Sequence, residues 1–232
     1  MNRIVHVKKD LRSFANSRKA EVLKSFFKTG KGHYGEGDIF LGVTVPQTRE
    51  VARAYADLPL RQIRALLSSK VHEERYCALM ILARQFYAGD RKTQKIIFDF
   101  YMQHIRQVNS WDLVDASAAS IAGRYLLERP RKILYMLARS ENLWERRIAI
   151  VATYAFIQNG EYADTVKIAK MLMPDTHDLI HKAVGWMLRE VGKRSPQTEK
   201  DFLKKFRTKM PRTMLRYAIE RFPEKERKSY LK

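Results

Sequence analysis

The spacing of its apolar residues narrows the folds open to this chain more than any other feature. In segments such as RSFANSRKAEVLKSFF, ERYCALMILARQFY and HDLIHKAVGWMLREVGK they recur at intervals of three and four, the period of one helix face. No stretch shows the alternation of a half-buried strand. Turn residues punctuate the pattern at Gly30 to Gly37, Gly89-Asp90, Pro130, Asn159-Gly160, Pro174-Asp175, Pro196 and Pro211. Helices joined by short connections follow, so the fold class is all-α.

The helices also repeat. A charged residue precedes an apolar run at Arg75, Asp115, Arg147, Lys182 and Arg216, in steps of 40, 32, 35 and 34 residues. Shorter helices such as LRQIRALL, RKILYMLA and DTVKIAKML precede most of them. Helix pairs at this loose period predict an α-solenoid of HEAT-like repeats, a curved superhelix running as one domain over residues 1–232. Stacking places equivalent residues in a ladder, which predicts a basic track of Arg75, Arg147, Lys182 and Arg216 on the concave face, joined by Arg189, with one carboxylate, Asp115, near its centre.

Composition says what such a track is for. Lys and Arg number 45 against 25 Asp and Glu, a formal charge of +20. That excess calls for a polyanion, with nucleic acid the commonest and an anionic membrane surface the competitor. No apolar run approaches the ~20 residues of a membrane span. The opening MNRIVHVKKD lacks the apolar core of a signal peptide. The single Cys77, within YCALMIL, offers no disulfide framework and reads as a small buried hydrophobe. A cytoplasmic protein is expected.

Against this background the stretch NSWDLVD, residues 109–115, stands out. Ser110 suits a helix cap, and Asp112 in the first turn favours the positive end of the helix dipole. Neither role covers Asp115, which shares a helix face with Trp111 four residues before it. A carboxylate within a basic track repels a phosphate backbone, so it has either a separate task or an arginine partner. Arg147, in NLWERRIAI, is open between pairing with Glu145 and supporting Asp115, and Arg146 suits the surface better. Trp186 has apolar neighbours and reads first as core; Trp144 reads as packing. Gly30 to Gly35 spell GxGxxG, but no strand precedes them, so a dinucleotide site is not expected. His177 and His181 have helical metal-ligand spacing without a third ligand, and no metal is expected.

Taken together, FLGVTVP at 40–46, NSWDLVD, NLWERRIAI and HKAVGWMLRE at 181–190 resemble the AlkD family of HEAT-like-repeat DNA alkylation-repair glycosylases. The resemblance implies N-glycosidic hydrolysis of cationic alkylated purines, N7-alkylguanine and N3-alkyladenine, in double-stranded DNA held without a base pocket. It places the catalytic carboxylate on Asp115, the aromatic partners on Trp111 and Trp186, and the active-site arginine on Arg147. The family's Thr-Pro is Val45-Pro46 here, a departure that touches a peripheral DNA contact.

The chemistry suits these residues independently. Cleavage builds positive charge on the sugar, which a carboxylate stabilises. The base is already cationic and leaves without a general acid, so one carboxylate suffices. Tryptophan faces can meet the cationic nucleotide, and Arg147 would hold a nearby phosphate. No cofactor or metal is required, and a monomer is expected. The rival readings are a non-catalytic DNA- or RNA-structure-binding protein and a protein-binding scaffold.

Overall fold

The computed structural model describes residues 3–231. Regular structure among them is helical, apart from an isolated parallel bridge between Ile39 and Val71. The chain packs as two compact units, Met1–Ser117 and Ala118–Lys232.

The first unit contains α1 (Ile4–Ser13), α2 (Ser17–Phe26), α3 (Val45–Ala54), α4 (Leu60–Leu67), α5 (His72–Ala88), α6 (Arg91–Gln103) and α7 (Trp111–Ser117). Its hub is α5, which packs against α1, α3, α4, α6 and α7. A helix covered on several sides needs apolar residues around most of its circumference. The run YCALMILA supplies them, and Cys77, Leu79, Ile81 and Leu82 are fully buried. Cys77 is thus a core residue, its thiol pushed up to about 12 by burial. By contrast α4 is one-sided, burying Ile63, Leu66 and Leu67. At the start of α3 the Thr44 backbone N–H donates to the Gln47 side chain at 2.9 Å, and Pro46 occupies the first turn.

The loop before α3 is held from below. Backbone N–H groups of Leu41, Gly42 and Val43 donate to the buried Glu73 carboxylate at 3.0, 2.9 and 3.3 Å. Gly42 has φ of 80°, and a Cβ there would stand 2.1 Å from the Asn16 carbonyl oxygen. Only glycine satisfies both conditions.

The second unit begins with a π-helical turn at Ala119–Gly123, where Gly123 N–H bonds the Ala118 carbonyl at 2.8 Å. The helix expected to run on through DASAASIA is therefore interrupted. Next come α8 (Lys132–Leu137), α9 (Leu143–Ala152), α10 (Tyr154–Gln158), α11 (Ala163–Leu172), α12 (Asp178–Gly192), α13 (Pro196–Phe206), α14 (Arg212–Ala218) and α15 (Glu224–Leu231). Here α12 is the hub, packed on α9, α11, α13 and α14. Its Gly185 lets α14 approach closely, since a Cβ would stand 2.4 Å from the Met214 carbonyl oxygen.

The repeat expected from sequence appears in the polar contacts within each unit. His72 bonds Asp38 and Asp112, which lie 34 and 40 residues away. In the second unit Arg131 pairs with Asp164, 33 residues on, and Arg146 with Asp175, 29 residues on. Side chains one repeat apart are neighbours, as stacked helix pairs require. No helix among the described residues is long and apolar enough to cross a membrane.

Candidate nucleic-acid site

Trp111 and Asp115 both lie on α7, half-buried and one turn apart. The cap expected from Ser110 is not made. Ser110 is buried, and its hydroxyl has no hydrogen-bond partner. Asp112 instead accepts a bond from His72 Nε2 at 2.7 Å. The residue that sequence assigns to the helix dipole is therefore a tertiary anchor.

His72 opens α5 and is 3% exposed. Its Nδ1 faces Asp38 Oδ2 at 3.1 Å, and Arg75 Nη2 reaches that same oxygen at 2.6 Å. Burial works to lower the His72 pKa, but the bonds to Asp112 and Asp38 outweigh it and raise the value. Burial likewise works to raise Asp38, and the bond from His72 with the charge of Arg75 brings it below the usual carboxylate value.

Rings enclose this network. Trp111 stacks on Phe27 at 5.2 Å and 8°, and meets the edge of Phe26 at 5.9 Å. Phe27 stacks on Phe40 at 4.9 Å, and the His72 ring lies 4.6 Å from Phe40. Trp111 is thus held within the protein by stacking on Phe27 and by the edge contact with Phe26, and it remains half-buried.

The expected basic track needs correction. Arg75 is 4% exposed, bound to Asp38 and to the Ser69 carbonyl at 2.9 Å, so it fastens the fold and is withdrawn from any phosphate. Arg189 is also engaged, in an ion pair with Glu220. Lys182 pairs with Asp178 one turn away at 2.7 Å but stays 38% exposed at the side chain. Arg216 is exposed.

Arg147 is buried on α9, and its Nη1 donates to the Leu179 carbonyl at the start of α12. Its guanidinium is therefore a fixed charge, unlike a surface clamp. Arg146, expected at the surface, is half-buried and pairs with Asp175 at 2.6 Å. Trp186 is half-buried, 6.2 Å from the Tyr154 ring, and so is not wholly core. Trp111 and Asp115 thus belong to the first unit, and Arg147 and Trp186 to the second.

His177 Nδ1 accepts the Leu179 N–H, and His181 Nε2 bonds the Asp175 carbonyl, so both help start α12. The glycine-rich loop follows helix α2, not a strand, and leads into Asp38. Sequence reasoning missed His72, Asp38, Phe27 and Phe40. The one signal that could have found His72 is register: it stands 40 residues before Asp112, the same step that separates Arg75 from Asp115.

Stacked helix pairs with so large a positive charge define an all-α repeat protein suited to a polyanion. The model of the DNA alkylation repair enzyme family matches residues 7–222, and the chain belongs to that family. Among solved structures it is similar to a predicted DNA alkylation repair enzyme from Enterococcus faecalis, with 19% identity and a TM-score of 0.71 over 90% of this chain and 97% of that one. It is also similar to AlkD2 from Streptococcus mutans, with 16% identity and a TM-score of 0.56 over 95% and 97% of the two chains. At these identities the likeness is one of fold. Comparison with curated proteins returns no match.

Proposed function

We propose that this DNA-repair family member is a monofunctional glycosylase. Its substrates would be cationic alkylated purines in duplex DNA, N7-alkylguanine and N3-alkyladenine among them, with cleavage of the N-glycosidic bond. The observation that carries the reading is Asp115, a half-buried carboxylate one turn from Trp111 in a chain of charge +20. Asp115 stabilises the oxocarbenium-like sugar and orients the attacking water. Trp111 and Trp186 each offer a half-buried ring to the cationic nucleotide, at about 0.5–2 kcal/mol per contact. Arg147 contributes a fixed positive charge near the phosphate of the lesion. Lys182 and Arg216 contact the backbone, with Arg189 contributing only if DNA displaces its carboxylate partner. The protein acts as a monomer without a cofactor.

The deciding experiment measures free base released from a defined N7-methylguanine duplex in single turnover. Asp115→Asn keeps the shape but removes the charge, so release should slow by at least ~10²-fold while duplex binding persists. Trp111→Ala should slow release less. A wild-type protein that binds the duplex and frees no base would refute the glycosylase reading and leave a DNA-binding protein.

A further inference from the structure

The short helix α7 carries both Trp111 and Asp115, yet lacks the usual means of fixing its first turn. Seven residues are too few for a helix to be stable alone. The Ser110 hydroxyl makes no cap. A polar hold on that turn from another element is the bond between Asp112 and His72 Nε2 at 2.7 Å.

We infer that His72 is a positioning residue for base release: by joining Asp38 to Asp112 it fixes the start of α7, and with it Trp111 and Asp115. The inference rests on the glycosylase reading above. Histidine suits the place for two reasons. Its flat ring packs among Phe40 and Phe27, at 4.6 and 4.9 Å, beside the ring that Trp111 stacks upon. Its two nitrogens face two carboxylates, which only accept hydrogen bonds, so the ring must carry both protons to satisfy both.

The groups facing His72 are Asp112 from α7, Asp38 from the loop before α3, and Arg75 from its own helix. Two carboxylates and two cations leave the cluster neutral, which burial requires. Loss of the ring proton breaks one of the two bonds. Because the His72 pKa is raised above 6.5, the intact bridge persists to higher pH than an ordinary imidazole proton would and is lost as pH rises further. His72 touches no substrate in this scheme; it acts through α7.

His72→Phe keeps the ring packing and removes both bonds. Duplex affinity should stay within about three-fold, while single-turnover release of N7-methylguanine falls by about ten-fold or more, the cost of a misplaced group. The alkaline fall in the wild-type rate should be missing from the variant's profile, a change that mere destabilisation does not produce. Asp112→Ala should match His72→Phe, and the double variant should be no slower than either, since one link is broken once. Asp112→Asn, which still accepts from Nε2, should recover part of the rate. If His72→Phe fails to fold, the comparison of Asp112→Ala with Asp112→Asn decides.

Wild-type release with unchanged rates in His72→Phe and Asp112→Ala would overturn this inference and spare the glycosylase reading. Equal loss in Asp112→Ala and Asp112→Asn, with duplex affinity falling in parallel, would overturn it too. A wild type that frees no base removes the glycosylase reading first and this one with it.

Discussion

Glu199 lies on α13 with 2% of its surface exposed, and its Oε1 has no hydrogen-bond partner. Burial pushes its carboxyl from the ordinary 4.5 up to about 8, with Arg189 pulling the other way. A raised acid favours the folded state in its protonated form. The unfolded chain ionises at the ordinary value, so stability drains away as pH climbs from about 4.5 to about 8 and then levels off. At ~1.4 kcal/mol per pH unit, the loss is about 3 kcal/mol at pH 7 and about 5 at pH 9. Glu199→Gln cannot ionise and should escape it, less about 1 kcal/mol for an amide without a full set of partners. Urea unfolding at pH 5, 7 and 9, followed by circular dichroism, measures the difference. The variant should be near wild type at pH 5 and more stable by about 2–4 kcal/mol at pH 7 and above. An equal difference at all three pH values would show that Glu199 finds a compensating charge and stays ionised.

Three further outcomes test the site and the packing. Charge reversal of Lys182 and Arg216 should flatten the salt dependence of duplex binding, each lost phosphate contact removing ~0.9 from the slope. Arg75→Ala should leave that slope alone and destabilise the fold by about 1–3 kcal/mol, because it leaves the half-buried Asp38 with His72 as its remaining charged partner. Gly185→Ala should cost about 1–3 kcal/mol in thermal or urea unfolding, since its methyl meets the Met214 carbonyl and α14 must shift. An unchanged midpoint would mean that α14 moves aside freely.

The sequence by itself determined the elements and their repetition. Apolar period three to four selects helices, and a helix hydrophobic nearly all round, such as YCALMILA, is legible as a hub because only full burial suits it. The steps between charged positions likewise foretold that residues one repeat apart are neighbours, as Asp38, His72 and Asp112 are. NSWDLVD was also legible as unusual, since Asp115 had no local task. Which cations face solvent was decided only by tertiary structure. Arg75, Arg189 and Arg216 look alike in sequence, yet two are held by carboxylates and one is exposed. A charge's availability depends on the partner that folding brings to it, and those partners lie 37 residues away for Arg75 and on another helical turn for Arg189. Asp112 shows the same limit. Local reading sees a first-turn acid beside a helix dipole, and only the arrival of His72 from the preceding repeat turns it into an anchor.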